Sequence, residues 1–258
     1  MDKVYSRFEN DCHERVTHHA KTMEYLVKQD ARALKEFWRR NAGYAPLKVD
    51  LWTQLGKYKQ HQHSGVTGPL IRKGLRTFLE KEQNHLCCYC QRPLVNIAHA
   101  KPIEHILPRA DFVQYTFHFW NLAVACFDCN QIKSDKVWAA DNKKDQPLYP
   151  APGTFTEMYH PRFHSFAKHV RFIRVQTNEH VISLYKGKTP QGRHLCLNLL
   201  SKRSAREIQL NSNPELKQAL EVINAHAEAN PGKSLPQFLA LADALSKSVS
   251  ALVSNPPR

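Results

Sequence analysis

Two Cys-x-x-Cys pairs constrain this chain more than any other feature of its sequence. Cys87 and Cys90 form the first pair, Cys126 and Cys129 form the second, and 36 positions separate Cys90 from Cys126. Each turn can direct two thiolates at one ion, and two turns complete the tetrahedral shell of four sulfurs that Zn²⁺ accepts. We therefore predict a structural zinc site, because four sulfur ligands leave no position open for a reacting water.

Two other roles of these cysteines are alternatives to zinc binding. A redox-active pair or a set of buried free thiols would also require cysteines, but two pairs at matched spacing favour the metal. The total of seven is odd, which argues against a secreted disulfide framework. Cys88 has the wrong spacing to join the same site, and Cys12 and Cys196 are expected to be small core residues.

The chain is also strongly basic. Its 258 residues include 37 Lys and Arg against 23 Asp and Glu, which gives a formal net charge of +14. The excess lies before Glu207, because the segment from Glu207 to Arg258 has more acidic than basic residues. A localised positive field favours a polyanion such as nucleic acid as partner, although a solvated basic face would give the same count.

Other protein classes are disfavoured by what the sequence lacks. It contains neither of the glycine-rich loops that cradle nucleotide phosphates, so any use of ATP would have to come from another chain. No apolar run approaches the roughly 20 residues of a membrane span, and residues 1–10 lack the apolar core of a secretory signal. We expect a globular, cytoplasmic protein with no membrane partner.

Hydrophobic periodicity predicts an α+β fold that is mainly helical and has four regions. Residues 1–84 are expected to be an N-terminal helical region with a helix over 68–80, and residues 85–148 a module built around the cysteine pairs. Residues 149–210 should form an α/β extension, with strands at 169–175 and 180–185 and a helix from about 189. Residues 211–258 should form a C-terminal helical hairpin, whose apolar seam packs internally or docks on another subunit.

The candidate catalytic residues lie between the two cysteine pairs and directly after the second pair. Glu104 and His105 lie in a short predicted strand at 103–107, Asn121 precedes a second apolar stretch, and Asn130 lies in the helix after Cys129. A carboxylate, an imidazole and an amide oxygen beside a rigid zinc site suit metal-assisted phosphodiester hydrolysis. Singly these residues are ordinary, because Asn often caps helices or forms turns; their order within the four-cysteine frame is the signal.

The segment from Cys87 to about Asp135 resembles the HNH endonuclease motif of the His-Me finger nucleases. That motif is a ββα-metal finger with a Glu/Asp-His pair, a middle Asn and a final His or Asn. The matching residues here are Glu104-His105, Asn121 and Asn130. The resemblance implies a metal-dependent endonuclease that hydrolyses phosphodiester bonds of nucleic acid, with DNA favoured.

The same resemblance implies a role for each residue. His105 would be the general base, while Glu104 and Asn130 would hold a catalytic Mg²⁺ or Mn²⁺. Asn121 would act through side-chain hydrogen bonds that pin the loop and so orient His105. Arg109 and Lys133 are candidate phosphate contacts, whereas the histidine-rich run of His160, His164 and His169 is expected to be structural.

A further stretch, from Tyr159 to Arg206, is similar to bacterial HNH proteins that include the nuclease subunits of Septu-type and retron anti-phage systems. In such systems the nuclease pairs with an ATPase, which implies an ATPase partner that docks on the C-terminal helices. Two other functions stay open: a catalytically silent zinc-ribbon module that only binds nucleic acid, and an assembly subunit whose charge serves a protein partner. The sequence does not distinguish DNA from RNA or nicking from double-strand cleavage.

Overall fold

The computed structural model describes residues 16–59, 66–94, 101–139, 143–176 and 181–211. The fold is α+β, with about half of these residues helical and two small antiparallel sheets of two strands each. The chain divides into two compact units, residues 1–165 and residues 166–258. None of the helices in the described ranges has both the length and the apolar character needed to cross a bilayer.

Three helices open the first unit: α1 (Val16–Asn41), α2 (Leu51–Lys57) and α3 (Gly68–Glu82). Asp50 caps α2 by accepting a hydrogen bond from the backbone N–H of Thr53 at 3.0 Å. Thr67 caps α3 in the same way, and Pro69 occupies its first turn, where no N–H is required. The helix predicted over 68–80 is thus present and two residues longer.

Helices α2 and α3 approach each other closely at Gly68. A Cβ atom at this position would lie 1.6 Å from the carbonyl oxygen of Leu55. Only glycine therefore allows α3 to begin directly against the end of α2. The two helices form a rigid pair in which Leu51, Leu55, Ile71 and Leu75 are buried.

In the first unit, β1 (Ile103–His105) pairs with β2 (Leu122–Val124), and helix α4 (Phe127–Lys133) follows. Glu104 lies opposite Ala123 in the register. The connection between the strands contains two short 3₁₀ turns, Val113–Tyr115 and Phe119–Asn121. It is anchored by a core cluster of Leu107, Phe112, Tyr115, Ala139 and Phe155.

The second unit contains α5 (Phe166–His169), β3 (Val170–Gln176), β4 (Val181–Gly187), α6 (Pro190–Leu195) and α7 (Ser201–Asn211). Strands β3 and β4 pair antiparallel, and Phe172 stacks on Tyr185 across them with ring centroids 4.9 Å apart. Both strands lie within a residue or two of their predicted positions. The helix predicted from about residue 189 is interrupted by a π-helical turn at Cys196–Leu200.

The predicted regions 1–84 and 85–148 both lie within the first compact unit. Helix α1 packs against the Val113–Tyr115 turn, and Arg40 donates a hydrogen bond to the carbonyl of Ala110 at 2.9 Å. The N-terminal helices and the cysteine module therefore belong to one compact unit, which extends to residue 165. Periodicity along the chain cannot reveal such long-range packing. The predicted hairpin at 211–258 lies outside the described residues, apart from Asn211 at the end of α7.

Candidate metal centre and active site

The four cysteines predicted as zinc ligands form one buried cluster. The sulfur atoms of Cys87, Cys90, Cys126 and Cys129 all lie within 4.8 Å of one another. Cys88 is buried nearby but is not part of the cluster. The cluster can hold a metal ion, and its four-sulfur donor set fits structural zinc.

Backbone hydrogen bonds place the first cysteine pair next to β2. The first pair sits in a turn closed by a bridge between Leu86 and Pro93, with Gln91 in the left-handed region at φ 58°. The backbone N–H of Cys88 donates to the carbonyl of Val124 at 3.1 Å, which joins this turn to β2. Gln83, just after α3, also bonds both backbone groups of Val124, at 2.8 and 2.7 Å.

The thiols are arranged to favour one thiolate among them. Hydrogen bonds from Cys129, Cys87 and Cys90 hold the pKa of the Cys126 thiol well below its usual range. The backbone N–H of Cys126 also donates to the sulfur of Cys87 at 3.2 Å. A positive ion at the centre would stabilise the remaining thiolates, since sulfur binds metal in its deprotonated form.

Glu104 is almost completely buried on the side of β1 that faces α4. Its Oε1 forms an ion pair with Nζ of Lys133 at 2.9 Å and accepts a hydrogen bond from the Tyr89 hydroxyl at 3.2 Å. Burial raises the pKa of Glu104, while the charge of Lys133 opposes this effect. Because Tyr89 lies within the first cysteine turn, Glu104 is tied directly to the cysteine module.

His105 lies at the end of β1 with its ring half-buried. Its Nε2 is 3.0 Å from the backbone carbonyl of Thr116. A carbonyl only accepts, so Nε2 carries the proton in the neutral ring and Nδ1 keeps a free lone pair. Burial lowers the pKa of His105 to about 3, and the charges of Arg109 and Lys133 act in the same direction. The ring is therefore neutral at physiological pH.

Trp52 of α2 packs against the His105 ring from the side. The two ring centroids are 4.7 Å apart and the rings meet edge to face at 89°. Trp52 also contacts Phe117 at 5.8 Å, so it bridges α2 and the connection between β1 and β2. Sequence analysis did not identify Trp52, because a residue 53 positions before His105 gives no local signal of contact.

Asn121 pins the connection between the strands from within. Its side chain is fully buried and accepts a hydrogen bond from the backbone N–H of Leu107 at 2.7 Å. Its amide donates to the carbonyls of Leu107 and Tyr115, both at 3.0 Å. The residue after Tyr115 is Thr116, whose carbonyl contacts His105. Asn121 therefore joins the two ends of the connection between β1 and β2.

Asn130 is half-buried on α4, one turn before Lys133. Residues three apart on a helix share a face. Lys133 on that face reaches both Oε1 of Glu104 and, at 3.4 Å, the backbone carbonyl of His105. Asn130 thus lies within one turn of α4 from the residue that contacts Glu104 and His105.

Lys133 does not have the exposed position that its predicted role as a phosphate contact requires. Its side chain has 0% exposure and its Nζ lies 5.6 Å from the Trp138 ring centroid, in addition to the ion pair with Glu104. In this conformation it has no surface with which to meet a phosphate. A basic residue on a helix can point either way in a sequence reading, and the packing of α4 on β1 shows that Lys133 points inward. Arg109, the other predicted contact, stays 38% exposed and pairs with Asp50 at 3.1 Å.

The histidine-rich run has structural contacts, as predicted. His160 is fully buried with its Nε2 2.8 Å from the Tyr149 hydroxyl, and His164 Nδ1 accepts a hydrogen bond from the backbone N–H of His160 at 3.0 Å. In the second unit, His169 Nδ1 lies 2.7 Å from the Thr189 hydroxyl. Across the described ranges, the four cysteines are the one cluster of His, Cys, Asp or Glu suited to a metal ion.

No protein-family model, curated protein or solved structure matches this chain. Function therefore has to be argued from the site itself. The site combines a buried four-cysteine cluster, a neutral imidazole with a free Nδ1, a buried carboxylate and a pinned loop.

Proposed function

We propose that this protein is a metal-dependent endonuclease of the HNH type that hydrolyses phosphodiester bonds of nucleic acid, with DNA as the favoured substrate. One observation carries the proposal: the hydrogen bond from His105 Nε2 to the Thr116 carbonyl at 3.0 Å. It fixes the tautomer and leaves Nδ1 as a base. An imidazole that is held in one orientation with Nδ1 unprotonated has what a general base requires.

In this proposal His105 Nδ1 takes a proton from the water that attacks the phosphorus. A positioned general base contributes about 10²–10⁴-fold in rate and works best when its pKa lies near the working pH, so the low pKa of His105 favours the lower end of this range. The Thr116 carbonyl and the Trp52 ring hold the imidazole in place, and Asn121 holds the loop that presents Thr116. Asn121 is thus a positioning residue, since it acts through the loop and not on the substrate.

The donors for a catalytic cation are Glu104 and Asn130. Lys133 and Tyr89 both engage Oε1 of Glu104, so neither contact uses Oε2. A carboxylate oxygen and an amide oxygen are ligands that Mg²⁺ and Mn²⁺ accept. Such an ion, when bound, would stabilise the negative charge that develops on the phosphate and the leaving oxygen. Lys133 favours the ionised form of Glu104 against the effect of burial.

A silent nucleic-acid-binding module is the second candidate, and one contact favours it. The Lys133 ammonium already neutralises Glu104 at 2.9 Å, which is what a site without a catalytic cation would require. The two candidates predict opposite results in a cleavage assay. Only the endonuclease cuts DNA when Mg²⁺ or Mn²⁺ is added.

The proposal extends to anti-phage defence with an ATPase partner. Support comes from the resemblance to defence nucleases and from the missing phosphate-binding loops in the sequence. A cleavage assay with and without the product of any neighbouring ATPase gene tests this part. Cleavage that depends on the ATPase supports the pairing, and full activity of the chain alone argues against it.

The endonuclease proposal is tested by supercoiled plasmid cleavage with the wild type and His105→Ala. We expect metal-dependent cleavage by the wild type and a loss of about 10²-fold or more in the variant, because the base is removed. Zinc content and melting temperature should change little. His85→Asn is a matched control, since His85 is an exposed histidine of the same unit. Equal cleavage by all three proteins would remove His105 from the mechanism.

A further inference from the structure

Arg72 contacts Trp52, the residue that packs on His105, and Arg76 and Arg109 lie close enough to Arg72 for their charges to act on it. Arg72 and Arg76 are on α3, and Arg109 follows β1. The guanidinium of Arg72 lies 5.1 Å from the Trp52 ring centroid and donates a hydrogen bond to the Trp52 carbonyl. Burial and the positive charges of Arg109 and Arg76 lower the pKa of Arg72, against the opposing charge of Asp50.

The positive charge of this cluster is only partly balanced. Arg109 is paired with Asp50 at 3.1 Å. Within the described part of the chain, neither Arg72 nor Arg76 forms an ion pair, and the Nε of each is buried without a hydrogen-bond partner. Two like charges at i and i+4 on a helix repel each other, and unsatisfied donors destabilise the fold. An anion bound between the guanidinium groups would relieve both effects.

Two glycines, Gly56 and Gly68, determine where the Arg72 side chain lies. A Cβ atom on Gly56 would lie 3.0 Å from Nη2 of Arg72, so the glycine leaves room for the guanidinium against α2. Gly68 sets the close approach of α3 to α2 that carries Arg72 over Trp52. Asp50 both caps α2 and orients Arg109. Contacts with α2 and its capping residue Asp50 therefore hold both Arg72 and Arg109 in place.

We propose that Arg72, Arg76 and Arg109 form a phosphate-binding surface that holds the backbone of a DNA strand beside His105. The inference rests on the proposed endonuclease function and assigns a role to the N-terminal helices, which contain no recognisable motif. Guanidinium groups match phosphate geometry with paired donors. One helical turn of about 5.4 Å separates Arg72 from Arg76, and Arg109 adds a third position, which suits a row of phosphates better than one small anion.

The test measures binding separately from cleavage. The probe is a short fluorescein-labelled DNA duplex, and its anisotropy is followed in buffer without added divalent cations. Arg72→Ala and Arg76→Ala should each weaken binding about tenfold, as expected for one charge-assisted hydrogen bond. Each should also reduce the slope of log K against log salt by about 1.

Lys73→Ala is the matched control, because Lys73 is an exposed residue of the same helix and its loss removes the same charge. We expect less than a twofold change in affinity. Arg72→Ala also removes packing on Trp52, so Arg72→Lys, which keeps the charge and loses the planar fork, is measured beside it. Melting curves identify any variant that fails to fold. Arg76→Ala leaves the contact between Arg72 and Trp52 in place, so it tests the charge without changing that packing.

Folded Arg72→Lys and Arg76→Ala proteins that bind DNA like Lys73→Ala would overturn the proposed surface. The result is distinguishable from a failure of the endonuclease proposal. Weaker binding by the arginine variants of a protein that never cleaves would support the surface and reject the nuclease. Normal binding by these variants of a protein that does cleave would reject the surface alone.

Discussion

At the scale of single residues, the central contacts are those that hold His105. The Thr116 carbonyl selects the tautomer, and the Trp52 ring limits rotation of the imidazole. The sequence places His105 at the end of a strand and Asn121 just before the next one, and both residues lie there in the structure. The partners of His105 could not be predicted in this way, because Thr116 and Trp52 belong to no motif and meet His105 only after the chain folds.

Asp30 gives a residue-scale prediction about pH. This half-buried acid lines a groove of about 750 Å³ together with Tyr115, His118 and Tyr149. Burial raises the pKa of Asp30 to about 6, from an ordinary value of 3.8. The folded state therefore binds the proton more tightly than the unfolded state, and ionisation of Asp30 destabilises the fold as pH rises through about 4 to 6.

Asp30→Asn should accordingly stabilise the protein at pH 8, by at most about 3 kcal/mol, and have almost no effect at pH 4. Thermal melting of the variant and the wild type across this range measures the difference. Asp135→Asn, at an exposed acid of the same unit, serves as control and should show no such trend. A stabilisation that is equal at pH 4 and pH 8 would contradict the assignment.

At the scale of elements, the α2–α3 pair is the support on which the His105 side of the site rests. Gly68→Ala places a Cβ atom 1.6 Å from the Leu55 carbonyl oxygen, so the helices must separate. We expect a loss of about 1–3 kcal/mol in unfolding free energy, the usual range for an overpacked contact. Cleavage should fall by more than stability alone explains, because Trp52 moves with α2.

Gly153→Ala is the matched control, since no heavy atom lies within 4 Å of the added Cβ. Chemical denaturation and plasmid cleavage of both variants check the prediction. If Gly68→Ala is as stable and active as Gly153→Ala, the close approach has no role in the site.

The elements themselves were largely predictable, and their mutual packing was not. Helix α3, the two strands of the second unit and both cysteine turns follow from local periodicity and spacing. The inward direction of Lys133 depends on how α4 meets β1. The packing of the N-terminal helices on the cysteine module likewise depends on contacts between residues far apart in the sequence. Hydrophobic periodicity gives no information about such contacts.

At the scale of the whole molecule, the four-cysteine cluster joins two segments of the first unit that are 36 residues apart in the sequence. Structural zinc contributes about 10–16 kcal/mol in finger peptides, and the metal-binding free energy is folding free energy. Cys126→Ser should therefore lose zinc and melt at a much lower temperature or fail to fold. Zinc analysis by mass spectrometry and thermal melting measure both effects.

Cys88→Ser is the natural control for the zinc prediction. Cys88 is a buried neighbour of the cluster and not a member of it, so this variant should keep its zinc. A wild-type protein that purifies without any metal would contradict the structural zinc site. So would a Cys126→Ser protein that is zinc-free and as stable as the wild type.

The most direct test of the whole account is chemical rescue of the base. His105→Ala is assayed for plasmid cleavage in Mg²⁺ or Mn²⁺ with increasing free imidazole, beside the wild type and His85→Asn. We predict that imidazole restores part of the lost cleavage in His105→Ala and leaves the other two proteins unchanged. Cleavage by His105→Ala at the wild-type rate without imidazole, or no cleavage by the wild type with either metal, would contradict the account.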